Sequence, residues 1–202
     1  MKIIVQRESN DPAWNLALEQ TLLETVQEDL FLLWQNGPSV IVGRNQNARA
    51  EVDESLVEAL GLPVVRRMTG GGAVYHDLGN LNFSYIECRA GGHFGDFARY
   101  TKPVLEALRQ LGIDAELGGR NDLLVDGRKI SGNAQCLWRG RMLHHGTLLF
   151  DADLTVLGRV LRPDPAKLAG KGVASVRSRV TNLRAVCPGL TLDQLLDALC
   201  KG

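Results

Sequence analysis

Apolar and polar positions along the chain follow two periods, and the elements can be read from which one holds where. Residues 2–9, KIIVQRES, form a short apolar run closed by polar residues and are expected as a strand ending in a turn. The next stretch opens with Asn10-Asp11-Pro12, a helix-start signal. It then places Trp14, Leu18, Leu22 and Val26 four residues apart, which predicts an amphipathic helix with those four on its apolar stripe. LFLLWQN and SVIVGRNQN are apolar runs of strand length with Gly37-Pro38 between them, and they predict a hairpin with a buried centre.

Downstream, DESLVEALG predicts a short helix closed by Gly61, and LPVVRRM a strand. AVYHDLGNLNFSYIEC, residues 73–88, is expected as a strand, although Asn82, Ser84 and Glu87 do not alternate cleanly with their apolar neighbours. Residues 97–113 predict a helix with Pro103 in its first turns. From Ala115 to Leu154 the pattern is that of a meander. Asp126-Gly127 is a hairpin signal, and WRGRM looks like a second tight turn. LTVLGRVL and the final TLDQLLDALCKG read as helices. The segment between them, residues 162–189, is polar, rich in Gly, Pro and Arg, and without strong periodicity, as functional or mobile loops often are. There is no internal repeat. Helices and antiparallel strands in irregular order predict an α+β fold of mixed, mainly antiparallel sheets flanked by helices, rather than a regular βαβ wrap.

Composition narrows the function classes more than the fold. Lys+Arg and Asp+Glu both number 23, so zero net charge gives no support to nucleic-acid or membrane-surface binding. Four scattered cysteines, with no CxxC and no paired His/Cys spacing, argue against zinc. No apolar run has the length of a membrane span or the form of a secretory leader, so the expectation is a cytoplasmic protein with reduced thiols.

Candidate chemistry gathers in three stretches. In RRMTGGGAVYHD the triple glycine lacks the Gly-Lys-Ser/Thr of a Walker loop, and it precedes a strand where a dinucleotide fingerprint would precede a helix. Two readings stay open: a turn or bulge between strands, or a pocket wall whose bare backbone lets a ligand approach and offers N–H groups to an anion. In NDLLVDGRKISGNAQ, Lys129 follows the hairpin turn beside Ser131, Gly132 and Asn133. It is either a point charge for a phosphate or a solvated hairpin lysine. His144 and His145 are strand neighbours and so face opposite sides, which excludes chelation of one metal by the pair. Cys88 and Cys136 lie in strand-like runs with no feature that would stabilise a thiolate.

Taken together and in order, RRMTGGGAVYHDLGNLNFSYI, GRNDLLVDGRKISGNAQ, HHGTLLFDADL and KGVASVRSRVTNL resemble the lipoate–protein ligase A family, and DPAWNLALEQ and LFLLWQNGPSVIVGRNQN fit its amino-terminal part. The resemblance covers nearly the whole chain. It implies the α+β catalytic domain shared with biotin–protein ligases and octanoyltransferases. It also implies activation of lipoate with ATP and Mg²⁺ to lipoyl-adenylate, followed by transfer to a lysine of an acceptor lipoyl domain. The acceptors implied are the E2 component of 2-oxoacid dehydrogenases and the glycine cleavage H protein.

Carried over by motif, Arg67, Thr69, Gly70, Gly71, Gly72 and His76 fall to lipoate binding, with Glu19, Trp34 and His145 along the acyl chain. Lys129 falls to the acyl–phosphate junction as the catalytic residue. Gly72, Ala73, Val74, Asn121, Asp122, Ser131 and Ala134 fall to ATP or adenylate, with Asp122 also on the Mg²⁺ side. Gly172, Val173, Ser175, Val176 and Val180 match the adenylate-binding loop. Family ligases usually continue beyond the point where this chain stops. The expected organisation is therefore one catalytic domain over residues 1–202 without the accessory domain, which makes a separate accessory domain a candidate partner. The readings set against ATP-dependent ligation are an ATP-independent octanoyl or lipoyl transferase, and a non-catalytic lipoate-binding relative. Octanoyltransferases use a cysteine nucleophile, and GRNDLLV and HHGTLLFDADL contain none.

Overall fold

The computed structural model describes residues 1–161 and 179–201, and there the strands sort into two sheets. Numbered along the chain, the larger sheet runs in spatial order β1 (Lys2–Val5), β2 (Leu30–Trp34), β6 (Asn80–Glu87), β10 (Arg141–Leu149), β9 (Arg128–Trp138), β8 (Asp122–Val125), β7 (Glu116–Gly118). The smaller runs β4 (Val64–Arg66), β3 (Ser39–Val42), β5 (Val74–His76). Pairing is antiparallel except for β1 with β2 and β3 with β4.

The expected hairpin of residues 30–47 does not form. β2 pairs with β1 and β6, whereas β3 pairs with β4 and β5 in the other sheet. Every residue of both strands is buried. An uninterrupted apolar run needs neighbours on both edges and cover on both faces, which a two-stranded hairpin cannot supply. The stretch 73–88 likewise divides into β5 and β6, one in each sheet. The Asp77 carboxylate accepts the Gly79 N–H at 2.8 Å, and the Gly79 carbonyl accepts the N–H groups of Phe150 and Asp151. A Cβ on Gly79 would lie 2.1 Å from the Asp151 carbonyl, so the crossing between sheets requires glycine there. Because β6 is buried on both faces from Asn80 to Ile86, its alternation was obscured.

Helix α1 (Pro12–Thr25) begins where Asp11 caps the Trp14 N–H, as its sequence signal indicated. Its buried face, however, is Pro12, Asn15, Leu16, Glu19 and Leu23, while Trp14 is 42% exposed. The stripe of Trp14, Leu18, Leu22 and Val26 therefore only flanks that face. Polar Asn15 and Glu19 occupy its centre, so a count of apolar residues pointed to the wrong side. Two short helices, α2 (Ala48–Glu51) and α3 (Glu54–Ala59), follow β3, with Asp53 capping the second. Helix α4 (Phe97–Gln110) holds Pro103 internally, and α5 (Leu154–Val160), α6 (Leu183–Val186) and α7 (Leu192–Lys201) complete the set among the described residues.

The meander β7–β10 is as expected. Asp126 and Gly127 (φ 50° and 69°) and Arg139 and Gly140 (φ 49° and 80°) form its tight turns, the left-handed pairs that two-residue hairpins need. α4 and α7 pack on one face of the large sheet through Val104, Leu108, Leu195 and Leu199 against Phe31, Phe83 and Leu123. On the other face α1 supplies Leu16 and Leu23.

His144 belongs to the α4 side. It stacks on Tyr100 at 5.0 Å, accepts from Gln135 Nε2 at Nδ1 (2.9 Å), and donates from Nε2 to Asn133 Oδ1 (3.2 Å). Burial pushes it down from 6.5 to about 3. The folded protein therefore refuses a proton that the unfolded chain accepts below 6.5, so this site's contribution is whole above that pH and is lost as pH falls towards 3. The expected slope from this site is about 1.4 kcal/mol of stability per pH unit inside the window. Urea denaturation at several pH values between 6 and 4 should show His144→Gln with a shallower acid decline than the parent, whatever its stability at neutral pH.

Candidate active site

Residues of both sheets line one cavity of about 700 Å³. Its floor is set by strand register. Trp34, Asn82 and Thr147 are cross-strand partners on β2, β6 and β10. Gly132 on β9 donates its N–H to the Thr147 hydroxyl (3.2 Å), and Asp122 on β8 pairs with Gly132. These five residues form a row across five adjacent strands. Ser84, His145 and Ala134 form a second row beside it.

Lys129 joins this face through a bulge. Leu123 pairs with Ser131 and Leu124 with Lys129, which leaves Ile130 unpaired and reverses the facing of the residues before it. The ammonium consequently lies 3.0 Å from where a Gly132 Cβ would stand, and it pairs with Asp122 Oδ1 at 2.8 Å. Ser131 points the other way and accepts from Asn133 Nδ2 at 3.1 Å, so the structure separates two residues that the sequence placed side by side. The backbone of Lys129 is also fixed. Its N–H donates to Arg179 O (2.8 Å) and its carbonyl accepts from Thr181 (2.9 Å), which sets Val180 against it as a parallel bridge.

The triple glycine forms the opposite wall, held by Arg67. The guanidinium donates from Nη2 to the carbonyls of Gly70 and Gly72 (both 2.7 Å), from Nη1 to Ile41 O (3.2 Å) and from Nε to Thr69 Oγ1 (3.0 Å). Burial pulls Arg67 down to about 10, against the raising effect of Glu19, so it remains a cation at neutral pH. Gly71 sits at φ 95°, and a Cβ there would meet Arg67 Nη2 at 2.9 Å. With the carbonyls of Gly70 and Gly72 turned to the cation, the N–H groups of Gly70 to Ala73 make no hydrogen bond among the described residues. They are available to an anionic ligand.

Behind this wall runs a directed chain of hydrogen bonds. Thr69 accepts from Arg67 and donates its hydroxyl proton to His145 Nε2 (2.7 Å), while His145 Nδ1–H donates to Glu19 (2.9 Å). From the other side Trp34 Nε1–H donates to Ser84 Oγ (2.9 Å), and Ser84 donates to Glu19 Oε1 (2.6 Å). Arg67 and the indole can only donate, so every proton in the chain is directed towards the Glu19 carboxylate, and His145 is held as the Nδ1–H tautomer.

Of the residues singled out from the sequence, Trp34, Arg67, Gly70, Gly71, Gly72, Ala73, Val74, His76, Asn121, Asp122, Lys129, Ala134 and His145 line the cavity. Glu19 and Thr69 stand one layer behind, holding His145, and Ser131 and Val180 are not in the lining. Gly172, Val173, Ser175 and Val176 lie outside the described residues. The lining also includes Asn82, Phe94, Phe97, Arg120 and Gln135, which were not singled out. Asn82 had a signal, a polar residue inside an apolar strand. Phe94, 53% exposed, and Phe97 are brought to the rim by the loop before α4, and Arg120 lies 5.8 Å over the Phe97 ring.

The cysteines lie away from this chemistry. Cys136 is outside the lining, and burial, with the Glu19 charge second, pushes it up to about 11. Among the described residues no group of three or more His, Cys, Asp or Glu could hold a metal by itself, and no helix is long and apolar enough to cross a membrane.

Comparison with known proteins converges on one family. The model of the lipoyl protein ligase A/B catalytic domain matches residues 11–202. Lipoate-protein ligase LplJ of Bacillus subtilis is 48% identical over 185 residues, 91% of this chain and 56% of its own length. The chain spans little more than half the length of the curated relatives it matches. Among solved structures, the bi-partite lipoate protein ligase of Thermoplasma acidophilum, from work on that ligase and its E2 lipoyl domain, gives a TM-score of 0.84. It is 31% identical, with 99% of this chain and 80% of that one covered. A lipoate-protein ligase A bound with ATP gives 0.82 at 28% identity, covering 99% and 82%. The α+β reading holds, and the chain belongs to the lipoyl protein ligase A/B catalytic-domain family.

Proposed function

We propose that this chain is an ATP-dependent lipoate–protein ligase, acting in the cytoplasm on acceptor lipoyl domains such as those of 2-oxoacid dehydrogenase E2 components and the glycine cleavage H protein. The observation that carries this reading is the arrangement of the cavity. A lysine ammonium sits at one end of a row of side chains, the glycine stretch that also lines the cavity carries backbone N–H groups without partners among the described residues, and Trp34, Leu16 and Ile41 line the apolar end. An acid with a long apolar tail fits that order of cation, donors and apolar closure.

In the first step a carboxylate oxygen of the acid attacks the α-phosphorus of ATP, the bond to the β-phosphate breaks, and pyrophosphate leaves. Two anions must approach each other, and Lys129 supplies the fixed positive charge. Asp122 uses one of the three ammonium donors and holds the side chain in place, which leaves two for the acid and the α-phosphate. In the second step the acceptor lysine's neutral amine attacks the acyl carbon, the bond to AMP breaks, and the amine's proton is lost to solvent. Lys129 then stabilises charge on the acyl oxygen. The residues fit Mg²⁺ in a limited way: Asp122 is the carboxylate at the phosphate end, and ions of this kind take one or two carboxylates plus substrate phosphates. There Mg²⁺ would neutralise phosphate charge.

Cys136 favours this reading over thiol-based acyl transfer, because a half-buried thiol pushed up to about 11 outside the cavity is a poor nucleophile. Protein mixed with an octanoyl donor and analysed by intact mass should carry no thioester. A stable adduct on Cys136 would instead establish octanoyl transfer.

Pyrophosphate release is expected only when ATP and lipoate are both present. In Lys129→Ala it should fall by about 10²-fold or more, the scale for losing one positioned charge contact in a transition state. Release should be measured with and without a candidate accessory domain. None under either condition, with lipoate binding intact, would make the chain a lipoate-binding relative.

A further inference from the structure

Two buried donors in the cavity have no partner. Asn36 Nδ2 donates to His76 Nδ1 at 3.1 Å, so the ring proton sits on Nε2, and Nε2 is unpartnered among the described residues. Burial, helped by the charge of Arg67, holds His76 down at about 3, so it stays neutral and keeps that tautomer near neutral pH. Asn82 accepts from Asn80 Nδ2 at its Oδ1 (2.9 Å), and its own Nδ2 is likewise unpartnered. The two residues are 4% and 2% exposed, and both line the cavity.

The pair sits at one end. The His76 ring meets the Trp34 indole edge-on at 6.5 Å, and Asn82 is Trp34's cross-strand partner. Asn82 and Gly132, beside which Lys129 stands, are two strands apart in the same row, roughly 10 Å by strand spacing. An acid held by its carboxylate at Lys129 therefore brings the far end of its tail to these donors.

Buried donors without acceptors are rare and costly, and two together at the apolar end of a pocket mark a place where the ligand brings acceptors. A straight alkyl tail brings only C–H groups. A cyclic disulfide brings two sulfur atoms, soft and weak acceptors that a neutral amide or imidazole N–H can meet. We propose that Asn82, with His76, contacts the ring sulfurs of a dithiolane acid and is the residue that favours such an acid over octanoate or a carbocyclic equivalent. This rests on the reading of the cavity as an acyl-acid site.

The test is isothermal titration of the whole protein, without nucleotide, with lipoate, ω-cyclopentylpentanoate and octanoate. The cyclopentyl acid keeps the ring and removes the sulfurs. Wild-type protein should bind lipoate about tenfold more tightly than the cyclopentyl acid, the scale of a weak hydrogen bond plus a relieved donor. In Asn82→Leu the ratio should fall to within about twofold, mainly because the two sulfur-free acids gain. Asn82→Cys, a smaller change in case the leucine variant does not fold, should move the ratio the same way. Equal wild-type affinity for the two ring acids would overturn the proposal, as would an undiminished ratio in whichever variants fold. Equal loss for all three acids would place the donors on the carboxylate and also overturn it. Failure of wild-type protein to bind any of them would instead refute the acyl-site reading itself.

Discussion

One buried carboxylate orders the side chains around this cavity. Glu19, 1% exposed, lies on the helix face that packs on the large sheet and receives protons from His145 and Ser84. A buried carboxylate is tolerated only where it is hydrogen-bonded and balanced by charge. The balance comes from Arg67, which reaches it through Thr69 and His145 and whose own protonated state Glu19 supports. The same guanidinium holds the carbonyls of Gly70 and Gly72. A single electrostatic constraint thus connects α1 to the sheet floor, the floor to the glycine wall, and the wall to its free N–H groups.

The opposite end of the cavity depends on backbone. The bulge at Ile130 brings Lys129 to the face of Gly132 and Asp122, and the segment of residues 179–181 takes up the lysine's backbone N–H and carbonyl. The Lys129 ammonium is therefore carried on a flexible stem but rooted at a fixed point. Between the ends, register fixes the order of contacts, because neighbouring strands place Trp34, Asn82, Thr147 and Gly132 at equal steps.

Local signals were legible in the chain, and pairings between distant segments were not. Asp126-Gly127 announced its hairpin because a left-handed turn demands such residues. Asn10-Asp11-Pro12 announced a helix start because the Asp11 side chain can accept a first-turn N–H. β2 and β3 could not be assigned to different sheets from their composition, since both are apolar throughout and only tertiary partners separate them. α1 misled because the residue its buried face is built around is a charged one. Of the site, the motif resemblance named much of the lining, but it could not show that Glu19 and Thr69 act through His145. Nor could it show that a bulge turns Ser131 away, because those facts depend on facing and register.

A double-mutant cycle between Arg67 and Glu19 tests this account most directly, with unfolding free energy and lipoate affinity as readouts. Arg67→Met and Glu19→Gln should each be damaging alone, and the double variant should be less damaged than the sum by more than about 1 kcal/mol, since removing one member leaves the other's charge buried and unbalanced. Strict additivity in both readouts would contradict it.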